Sequence, residues 1–380
     1  MSNTVSIGRR GNVGIAIETS AGVGGNTPAK FIPYSAQTLH NVVDILDDEA
    51  AKGIRERAWG SAVARTRGEG DITCLLDVEN APYLLFPALG TLSTQTIEAG
   101  AVFVHTMKRK ASNPPKTVCL NIYDTVGTRR YHYATVNTSE ITFSDGWVEM
   151  TAGMLSKAPS DESAATLAIT EETVMAFKDA KIYFGATLAA AEVNRAAGTN
   201  AQALSAFRLT INNNSEAQYA AGDSSPRQIS MGQFEVGGDY TLFFEDTTEQ
   251  SQHENQDQRA MIISFTGTTI GASSTEEIRI TVPKFHITDR GMDTAPAGFV
   301  TENPTFVADY DSTYGSISIQ IINETSSYPC GTISSSSSSS ESNSSSSMSS
   351  SSSSHSSSSE STSSSSYSSS SCSSSSASCS

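Results

Sequence analysis

The sequence predicts a mainly β protein, built from two tandem β-sandwich modules with a short flanking helix and a disordered, serine-rich C-terminal tail. Three observations support this fold class. One segment is repeated, since residues 65–77 (RTRGEGDITCLLD) resemble residues 233–245 (QFEVGGDYTLFFE). Short runs that alternate between apolar and polar residues recur between turn residues, which is typical of antiparallel sheets. From residue 334 onward the chain is almost entirely serine.

The repeated segment carries the most weight because its matches keep a constant offset. Residues 70–73 (GDIT) align with residues 238–241 (GDYT), and apolar residues align just after both. A glycine before a short apolar run is typical of a bulge or turn that leads into a buried strand. The repeat predicts two modules that superimpose at these residues. We place the first module at residues 1–160, the second at 161–330 and the tail at 331–380.

Local signals predict the elements of the first module. Residues 80–90 (NAPYLLFPALG) predict one short helix, with Asn80 as its N-cap, Pro82 in its first turn and Gly90 after its end. Residues 144–146 (SDG), placed between alternating runs, predict a hairpin turn. The predicted strands of this module are residues 12–19, 117–123, 130–136, 139–143 and 147–154.

Residues 42–60 (VVDILDDEAAKGIRERAWG) allow two interpretations. The segment is first acidic and then basic, and its apolar residues follow no clean period. A helical turn or a long projecting hairpin arm would both fit. We favour the arm, which would be an element for binding a partner.

The second module continues the β pattern after a small, polar and acidic stretch at residues 157–176. We expect residues 186–203 to form a loop with some helix, and residues 251–259 (SQHENQDQR) to form an exposed polar loop. The predicted strands are residues 180–184, 207–211, 229–236, 240–244, 261–265, 278–282, 305–309 and 316–322. The tail is expected to be disordered, because serine buries too little apolar surface to offset the entropy of ordering.

The composition argues against several classes of protein. The net charge is −16, whereas tight nucleic-acid binding needs Lys and Arg to displace counterions from phosphates. No apolar segment follows the first methionine, and no window holds the roughly 20 apolar residues of a membrane helix. We therefore expect a soluble protein that is made in the cytoplasm and is not inserted into a membrane. The five cysteines contain no C-x-x-C pair, which argues against a zinc site or a redox motif.

We assign no catalytic, cofactor-binding or metal-binding residues from the sequence, and we expect neither an enzyme nor a cofactor. Residues 8–14 (GRRGNVG) resemble part of a phosphate loop but lack a preceding strand and a following Lys-Ser/Thr. No G-x-S-x-G sequence and no i, i+4 histidine pair occurs. Asp309 and Asp311 could chelate a cation, although a turn beside a strand is the simpler interpretation. The densest acidic cluster lacks the spacing of a calcium loop, and its members are Asp44, Asp47, Asp48 and Glu49.

One compact basic patch is present, at residues 108–110 (KRK) together with Lys116. It lies beside a Pro-Pro loop and resembles one half of a salt-bridging interface. Acidic partners for it would be plentiful on a second copy of this chain. The patch is therefore an electrostatic argument for self-association.

Several stretches together resemble one known family, the bacteriophage tail tube proteins. The opening GNVGIAIETSAGVGG is similar to the start of these proteins, and RTRGEGDITCLLD with the following helix and FPALGT resembles their next segment. The hairpin pair RRYHYATVNTSEITFSDGWVEMTAGM resembles the end of their first half. SAFRLTINNN and QISMGQFEVGGDYTLFFED are similar to the second half. The resemblance covers roughly residues 5–325.

The resemblance implies a structural virion protein of β-sandwich modules, each with a flanking helix. Subunits of this family join edge to edge into a ring with a continuous inner β-barrel, and rings stack into a tube that conducts DNA into the host. Family members with a duplicated module form a ring from three chains, so the repeat favours three chains over six. The implied partners are copies of the chain, the tape measure, tail terminator and tail tip proteins, and DNA in transient, non-specific passage. The implied location is the virion tail, after assembly in the host cytoplasm.

Two other function classes stay open at this point. A β-rich adhesin or decoration-type binding protein with a serine stalk would also combine β modules with a low-complexity tail. An enzyme is the third class, and the lack of a converging catalytic set in the sequence argues against it.

Overall fold

The chain folds almost entirely into antiparallel strands, as the alternating sequence pattern predicts. The computed structural model describes residues 11–23, 27–49, 60–98, 100–113, 115–123, 127–162, 169, 172–198, 204–293 and 299–328. Within these ranges, no helix is both long enough and apolar enough to cross a membrane. The predicted disordered tail and residues 8–10, the start of the GRRGNVG segment, lie outside the described residues.

The strands and helices are numbered in chain order. Those of the first half are β1 (Asn12–Ile17), β2 (Lys30–Ile32), β3 (Ala36–Gln37), β4 (His40–Asp47), β5 (Ser61–Leu75), α1 (Ala81–Leu89), β6 (Gly90–Glu98), β7 (Val102–Arg109), β8 (Val118–Tyr123), β9 (Thr128–Phe143), β10 (Glu149–Ser156) and β11 (Ser160–Glu162). Those of the second half are β12 (Ala180–Gly185), α2 (Leu188–Ala197), β13 (Leu204–Asn212), β14 (Glu216–Gln218), β15 (Gln228–Ser230), β16 (Glu235–Phe243), α3 (Thr248–Asn255), β17 (Arg259–Ile270), β18 (Ser274–Asp293), β19 (Thr301–Ala308) and β20 (Ser318–Asn323).

Both halves of the sequence contribute to one continuous antiparallel sheet, which we call the shared sheet. Its strand order is β4–β5–β10–β9–β13–β16–β19–β18, and the short β3 extends β4 along the same edge. The first half supplies the first four strands of this order and the second half supplies the last four. They meet where β9 pairs with β13, from Phe143 opposite Phe207 to Thr138 opposite Asn212. We call this pairing the internal junction.

Two outer sheets share their longest strands with the shared sheet. The first outer sheet contains β2, β1, β8, the N-terminal part of β9, and β11. The second contains β12, β17, the N-terminal part of β18, β20, β7 and β6. The strands β9 and β18 therefore each begin in an outer sheet and end in the shared sheet.

The pairing pattern of the first half occurs again in the second half. The series β1–β8–β9–β10–β5 has the same connections as the series β12–β17–β18–β19–β16. Even the register shifts agree. In the first half, pairing slips after Val136 opposite Met154, and in the second it slips after Ile287 opposite Phe306. β-bulges at equivalent places in two sets of strands are independent support for the repeat seen in the sequence.

The repeated glycines explain why the sequence match centres on them. A Cβ atom on Gly70 would lie 2.5 Å from the carbonyl oxygen of Thr38, and one on Gly238 would lie 2.0 Å from that of Arg208. Thr38 and Arg208 occupy equivalent positions on the neighbouring strands β3–β4 and β13. Gly70 also has a φ of +150°, which side chains rarely adopt. Both glycines are therefore required by the close approach of equivalent neighbouring strands.

The core lies between the shared sheet and the outer sheets. Aromatic rings bridge the layers in the second half, where Phe184 of β12 lies 5.3 Å from Tyr240 of β16. At the internal junction Phe143 stacks on Phe207 at 5.6 Å and meets Phe265 of β17 edge-on at 5.6 Å. This face-to-face packing of sheets is the predicted β-sandwich arrangement.

The predicted short helix is confirmed as α1, and every one of its residues is buried. Gly90 ends it with a φ of 92°, and its N–H donates to the carbonyl of Phe86. Asn80 does not cap the helix through its side chain, contrary to the prediction. Instead, Asp77 Oδ1 accepts hydrogen bonds from the N–H groups of Glu79 at 2.9 Å and Asn80 at 2.6 Å.

Several element predictions need correction. Residues 251–255 are helical within α3, so the polar segment SQHENQDQR is not simply a loop. The predicted strands at 130–136 and 139–143 are one strand, β9, because a bulge bends it between two sheets without ending it. The predicted strand at 229–236 is interrupted between β15 and β16. The hairpin β6–β7 was missed.

The favoured interpretation of residues 42–60 as a hairpin arm agrees with the described part of that segment. β4 pairs with β5 in an antiparallel register that reaches Asp47 opposite Ser61. Residues 50–59, which include Trp59, lie outside the described residues. The module boundary at residues 160/161 stays a prediction, and β7 from the first half pairs with β20 from the second.

Candidate functional site

The shared sheet has one face in the core and one polar face. Strand alternation produces this division, because successive side chains point to opposite sides. On β5, for example, Ile72 and Cys74 are buried, whereas Glu69 and Asp71 are exposed. Burial alternates in the same way on the C-terminal part of β9 and on β13, β16 and β19. The pairing registers place residues of β4, β10 and the C-terminal part of β18 on the same side of the sheet. We call this side of the eight strands the polar face.

Acidic side chains outnumber basic ones on the polar face. Following the register from strand to strand, the acidic members are Asp44, Glu69, Asp71, Glu140, Glu149, Glu235, Asp239, Asp289 and Asp293. The basic members in the same registers are Arg65, Arg67 and Arg208. The polar face is therefore acidic, as is the whole chain, whose net charge is −16.

Two of the arginines on the polar face form ion pairs with its carboxylates. Arg67 lies 3.1 Å from Asp44 and 2.8 Å from Glu69, and Arg208 lies 2.6 Å from Asp239. The hydrogen bond to Asp239 raises the pKa of the Arg208 guanidinium, so this group stays charged and paired. These contacts neutralise positive charge that could otherwise hold a phosphate. The face therefore presents excess negative charge to a polyanion.

The two edges of the shared sheet lack a strand partner among the described residues. β4 and β3 pair with β5 on one side, and the C-terminal part of β18 pairs with β19 on one side. An exposed strand edge is a template for pairing with another chain, and natural proteins usually cover or interrupt it. Here the edges belong to the same sheet and lie at its opposite ends.

Exposed apolar side chains mark both ends of the shared sheet along the strand direction. The arm carries Ile45 and Leu46, of which Leu46 is 65% exposed, and the exposed Val63 lies on β5 opposite Ile45. β5 runs from the arm to Leu75, which pairs with Glu149 at the opposite end. There the exposed aromatic residues are Trp147, Phe243, Phe244 and Phe299. Exposed apolar groups of this kind are typical of protein–protein contacts.

The basic patch that the sequence singled out lies elsewhere and packs on rings of its own chain. Three of its four cations lie over aromatic rings: Lys108 at 5.3 Å from the Tyr314 centroid, Arg109 at 5.3 Å from that of Phe234 and Lys116 at 5.4 Å from that of Phe86. Burial, together with nearby Lys110, lowers the pKa of Lys116. Cation–π contacts within the chain account for these residues, and their predicted role in an intermolecular interface stays a prediction.

The candidate cation-binding aspartates form a turn. Asp311 Oδ1 accepts hydrogen bonds from the N–H groups of Thr313 at 2.8 Å and Tyr314 at 3.0 Å, and its Oδ2 lies 3.2 Å from Lys284. Asp309 lies 3.0 Å from His286. Because these carboxylates already have protein partners, the simpler interpretation from the sequence applies.

One further group of residues could hold a metal ion on distance alone. Glu18, Cys119 and His132 place one potential ligand atom each within 4.8 Å of one another. The Glu18 carboxylate, however, accepts hydrogen bonds from Thr117 Oγ1 at 2.6 Å and from the N–H of Tyr133 at 3.0 Å. Burial raises the pKa of Cys119 to about 12, which keeps the thiol protonated. The arrangement lies at a second irregularity of β9, between Tyr131 and Ala134 in the pairing with β8, and we assign it a structural role.

The comparison with protein families decides what kind of protein carries this sheet. A family model described as phage tail tube protein matches residues 8–313. The chain belongs to the phage tail tube protein family. No curated protein matches the chain. The resemblance inferred from the sequence is therefore confirmed, and this tail tube protein is a structural component of a phage tail.

The sequence alone did not locate the surfaces that matter in this tail tube protein. The polar face is built from seven strands and β4, and no single segment shows its charge excess. The sheet edges depend on which strands pair across the two halves, which the repeat suggests but does not fix. The signal that could have located them is the repeat itself, because equivalent strands must find equivalent partners.

Proposed function

We propose that this tail tube protein assembles into rings that stack into the phage tail tube, the conduit through which the genome passes into the host. The observation that carries this proposal is the shared sheet, which has a core-facing side, an acidic side and two unpaired edges among the described residues. Joining such sheets edge to edge around an axis removes the edges. The acidic side would then line the lumen.

An acidic lumen suits the passage of DNA. Lys and Arg bind DNA phosphates by displacing their condensed counterions into solution, and the ion pairs of Arg67 and Arg208 leave little free positive charge on the polar face. A surface of like charge repels the DNA backbone over roughly a Debye length, about 10 Å at moderate salt. DNA would therefore slide through the tube without being held.

We propose a ring of three chains, with six chains as the alternative. Each chain supplies two sets of four strands with the same pairing pattern, so three chains give a ring of six similar units. We also propose two tandem modules, at residues 1–160 and 161–330. The matched bulges in β9 and β18 support this division into repeats.

Stacking of rings is proposed to join the two apolar ends of the shared sheet. The arm with Ile45 and Leu46 lies at one end, and Phe299, which is 84% exposed, lies at the other. In a head-to-tail stack, the arm of one ring would contact the aromatic residues of the next. Burying these side chains would stabilise the stack by about 25 cal/mol per Å² of apolar surface. Tape measure, terminator and tip proteins are the proposed partners at the ends of the tube.

The serine-rich tail is proposed to project from the outside of the tube, in the virion tail that forms in the host cytoplasm. A tail of this composition inside the lumen would obstruct DNA and lose conformational freedom. Outside the tube, it would form a hydrated layer. A chain truncated after Ile333 should therefore still assemble.

Negative-stain electron microscopy of the purified full-length chain tests the proposed function. We expect rings or tubes at high protein concentration, and the chain truncated after Ile333 is the matched control for the role of the tail. A monodisperse monomer under all conditions, including addition of a tail initiator complex, would contradict the proposal. If the full-length chain assembles and the truncated one does not, the tail belongs to the assembly.

A further inference from the structure

We infer that the ring closes through one specific strand pairing, in which β18 of one chain pairs with β4 of the next in the register of the internal junction. This inference rests on the proposed ring assembly and names the two edges and the residues that meet. The partner is a second copy of this chain. Met292 of one copy would lie opposite Leu39 of the next.

The equivalence of strands follows from the observed registers. β18 corresponds to β9, because Ile287 opposite Phe306 and Val136 opposite Met154 precede the same register shift. β4 and β3 correspond to β13, because both pair with the repeated glycine strand, β5 in the first half and β16 in the second. Within the chain, β9 pairs with β13. Their counterparts, β18 and β4, are the two unpaired edge strands of the shared sheet.

The register of the internal junction transfers residue by residue. There, Thr138 to Ile141 lie opposite Asn212 to Leu209 in antiparallel order. The register with β19 makes Asp289 the counterpart of Thr138, and the register with β5 makes Val42 the counterpart of Asn212. The resulting pairs between one chain and the next are Asp289 with Val42, Arg290 with Asn41, Gly291 with His40, and Met292 with Leu39.

Hydrogen-bonding groups on the β4 edge point in the required direction. The N–H of Thr38 donates to the carbonyl of Asp71 at 2.9 Å, so even-numbered residues of this strand bond to β5. In an antiparallel ladder, the intervening residues direct their N–H and C=O groups to the other side. The backbone of Leu39 and Asn41 is therefore directed toward the incoming β18.

Side chains at this edge lack partners that the inferred pairing would supply. Met292 is 42% exposed, whereas its counterpart Ile141 at the internal junction is 1% exposed. The Asn41 Oδ1 atom is buried and accepts no hydrogen bond from the described residues. A buried acceptor without a donor is costly, and the pairing places Arg290 of the next chain opposite it. The Arg290 Nε and Nη2 groups donate to Glu302 of their own chain at 3.0 and 2.9 Å, so its Nη1 group would be the donor to Asn41. The pairing thus covers an exposed apolar side chain and provides a donor.

A side-chain amide donates to the carbonyl just before the bulge both at the internal junction and at the β18 edge. At the β18 edge this amide belongs to the same chain. At the internal junction the Asn213 side-chain amide donates to the carbonyls of Ala88, in the last turn of α1, and Val136. At the β18 edge, Gln256 donates to the carbonyls of His253, in α3, and Ile287. Ile287 is the counterpart of Val136, so the bulge carbonyl is already satisfied. The residue that corresponds to Asn213 in the next chain is Val43, which needs no amide.

Disulfide cross-linking of the assembled full-length chain tests the register. The background carries Cys330, Cys372 and Cys379 replaced by serine, and the test variant adds Gly291→Cys with His40→Cys. The internal control, Glu140→Cys with Thr210→Cys, places cysteines at the equivalent pair of the internal junction. The shifted control, Arg290→Cys with His40→Cys, places them on opposite faces of the paired strands.

We expect the internal control to form a disulfide within one chain and the test variant to form cross-linked dimers and trimers on a non-reducing gel. The shifted control should cross-link about tenfold less, because a disulfide tolerates only a narrow range of Cα separations. If the test variant does not cross-link while its rings are visible by electron microscopy, the register is wrong and the ring assembly stands. If neither rings nor cross-links form, both proposals are wrong. Equal cross-linking of the test and shifted variants also overturns the register.

Discussion

The two halves of the chain repeat the same strand pairing, and we call them the first and second repeat. The first repeat has Ile72 where the second has Tyr240, and both side chains are fully buried. Ile72 lies among apolar neighbours. Tyr240 instead donates its hydroxyl hydrogen to Glu249 at 2.7 Å, and Glu249 accepts from Arg259 at 2.7 Å. At the position of Arg259 the first repeat has Val118, which is also buried. The two repeats therefore share strand pairing and bulges while their cores differ in polarity.

This comparison shows which features of the repeat the fold depends on. The glycines Gly70 and Gly238 are kept because a neighbouring backbone lies too close for any side chain. The core positions vary, because a well-packed apolar group and a fully hydrogen-bonded polar group can both fill buried space. Strand pairing, not the identity of core side chains, is what the repeats have in common.

Proline substitution should have its most different effects at two equivalent positions, Ile211 and Asn41. Ile211 lies at the internal junction between Ser139 and Val236, so Ile211→Pro removes a ladder hydrogen bond in the interior of a sheet, where proline is not tolerated, and should prevent folding. Asn41→Pro, on the edge, should leave a folded chain that does not form rings. Circular dichroism and electron microscopy measure the two outcomes. Normal rings from Asn41→Pro would contradict the equivalence of the two positions.

The polar core of the second repeat should be sensitive to loss of one partner. Glu249→Ala leaves the Arg259 guanidinium, whose side chain is 11% exposed, without its carboxylate and Tyr240 without its acceptor, so we expect a loss of roughly 3–5 kcal/mol in the free energy of unfolding. Tyr240→Phe, which keeps the ion pair, should cost only about 1 kcal/mol. Urea denaturation gives both values. Equal losses for the two variants would show that the ion pair is not the main contribution.

The repeated glycines should be equally intolerant of a methyl group. Gly70→Ala and Gly238→Ala should each lower the free energy of unfolding by about 1–3 kcal/mol, because the neighbouring backbone must move. Gly146→Ala is the matched control, since a Cβ there meets no atom within 4 Å. Thermal denaturation compares the three. If alanine at either repeated glycine leaves the stability unchanged, the close approach of the neighbouring backbone does not explain why glycine is found at both positions.

The smallest expected effect concerns the β6–β7 hairpin, which has no counterpart in the second repeat. Glu98 at its end accepts hydrogen bonds from the N–H of Ala272 at 2.7 Å and the hydroxyl of Ser274 at 2.6 Å, in the turn between β17 and β18. These bonds lower the pKa of Glu98 from 4.5 to about 2. Because the folded pKa is depressed, the stabilisation is present above pH 4.5 and is lost as the pH falls toward 2.

Glu98→Gln should therefore lower the melting temperature at neutral pH and reduce the further loss on acidification. The control is Glu216→Gln, an exposed carboxylate on β14. The melting temperatures of both variants and of the native chain are measured across this pH range. If the melting temperature of Glu98→Gln differs from that of the native chain by the same amount at every pH, the carboxylate hydrogen bonds are not the cause of the difference.

Much of the fold could be predicted from local sequence signals. The turn at residues 144–146, the helix that ends at Gly90 and the repeated glycine strands all follow from residue-level preferences. The exceptions have physical causes. α3 has no apolar face, so its sequence looks like a loop, and its helix is held by contacts such as the Glu249 ion pair with Arg259.

The candidate surfaces could be predicted less well because they depend on long-range pairing. The polar face collects carboxylates such as Glu69, Glu140 and Glu235, which are far apart in the sequence. The exposed edge at Gly291 is recognisable only once β18 is known to correspond to β9. By contrast, the basic patch is conspicuous in the sequence, and three of its four cations lie over rings of the same chain.

Cryo-electron microscopy of the assembled full-length protein would show directly how the shared sheets of neighbouring chains meet. We expect rings of three chains with a continuous inner sheet, in which Met292 of each chain lies opposite Leu39 of the next and Glu140 and Asp289 face the lumen. Rings held together by the outer sheets, with β4 and the end of β18 left exposed to solvent, would show that the proposed assembly is wrong.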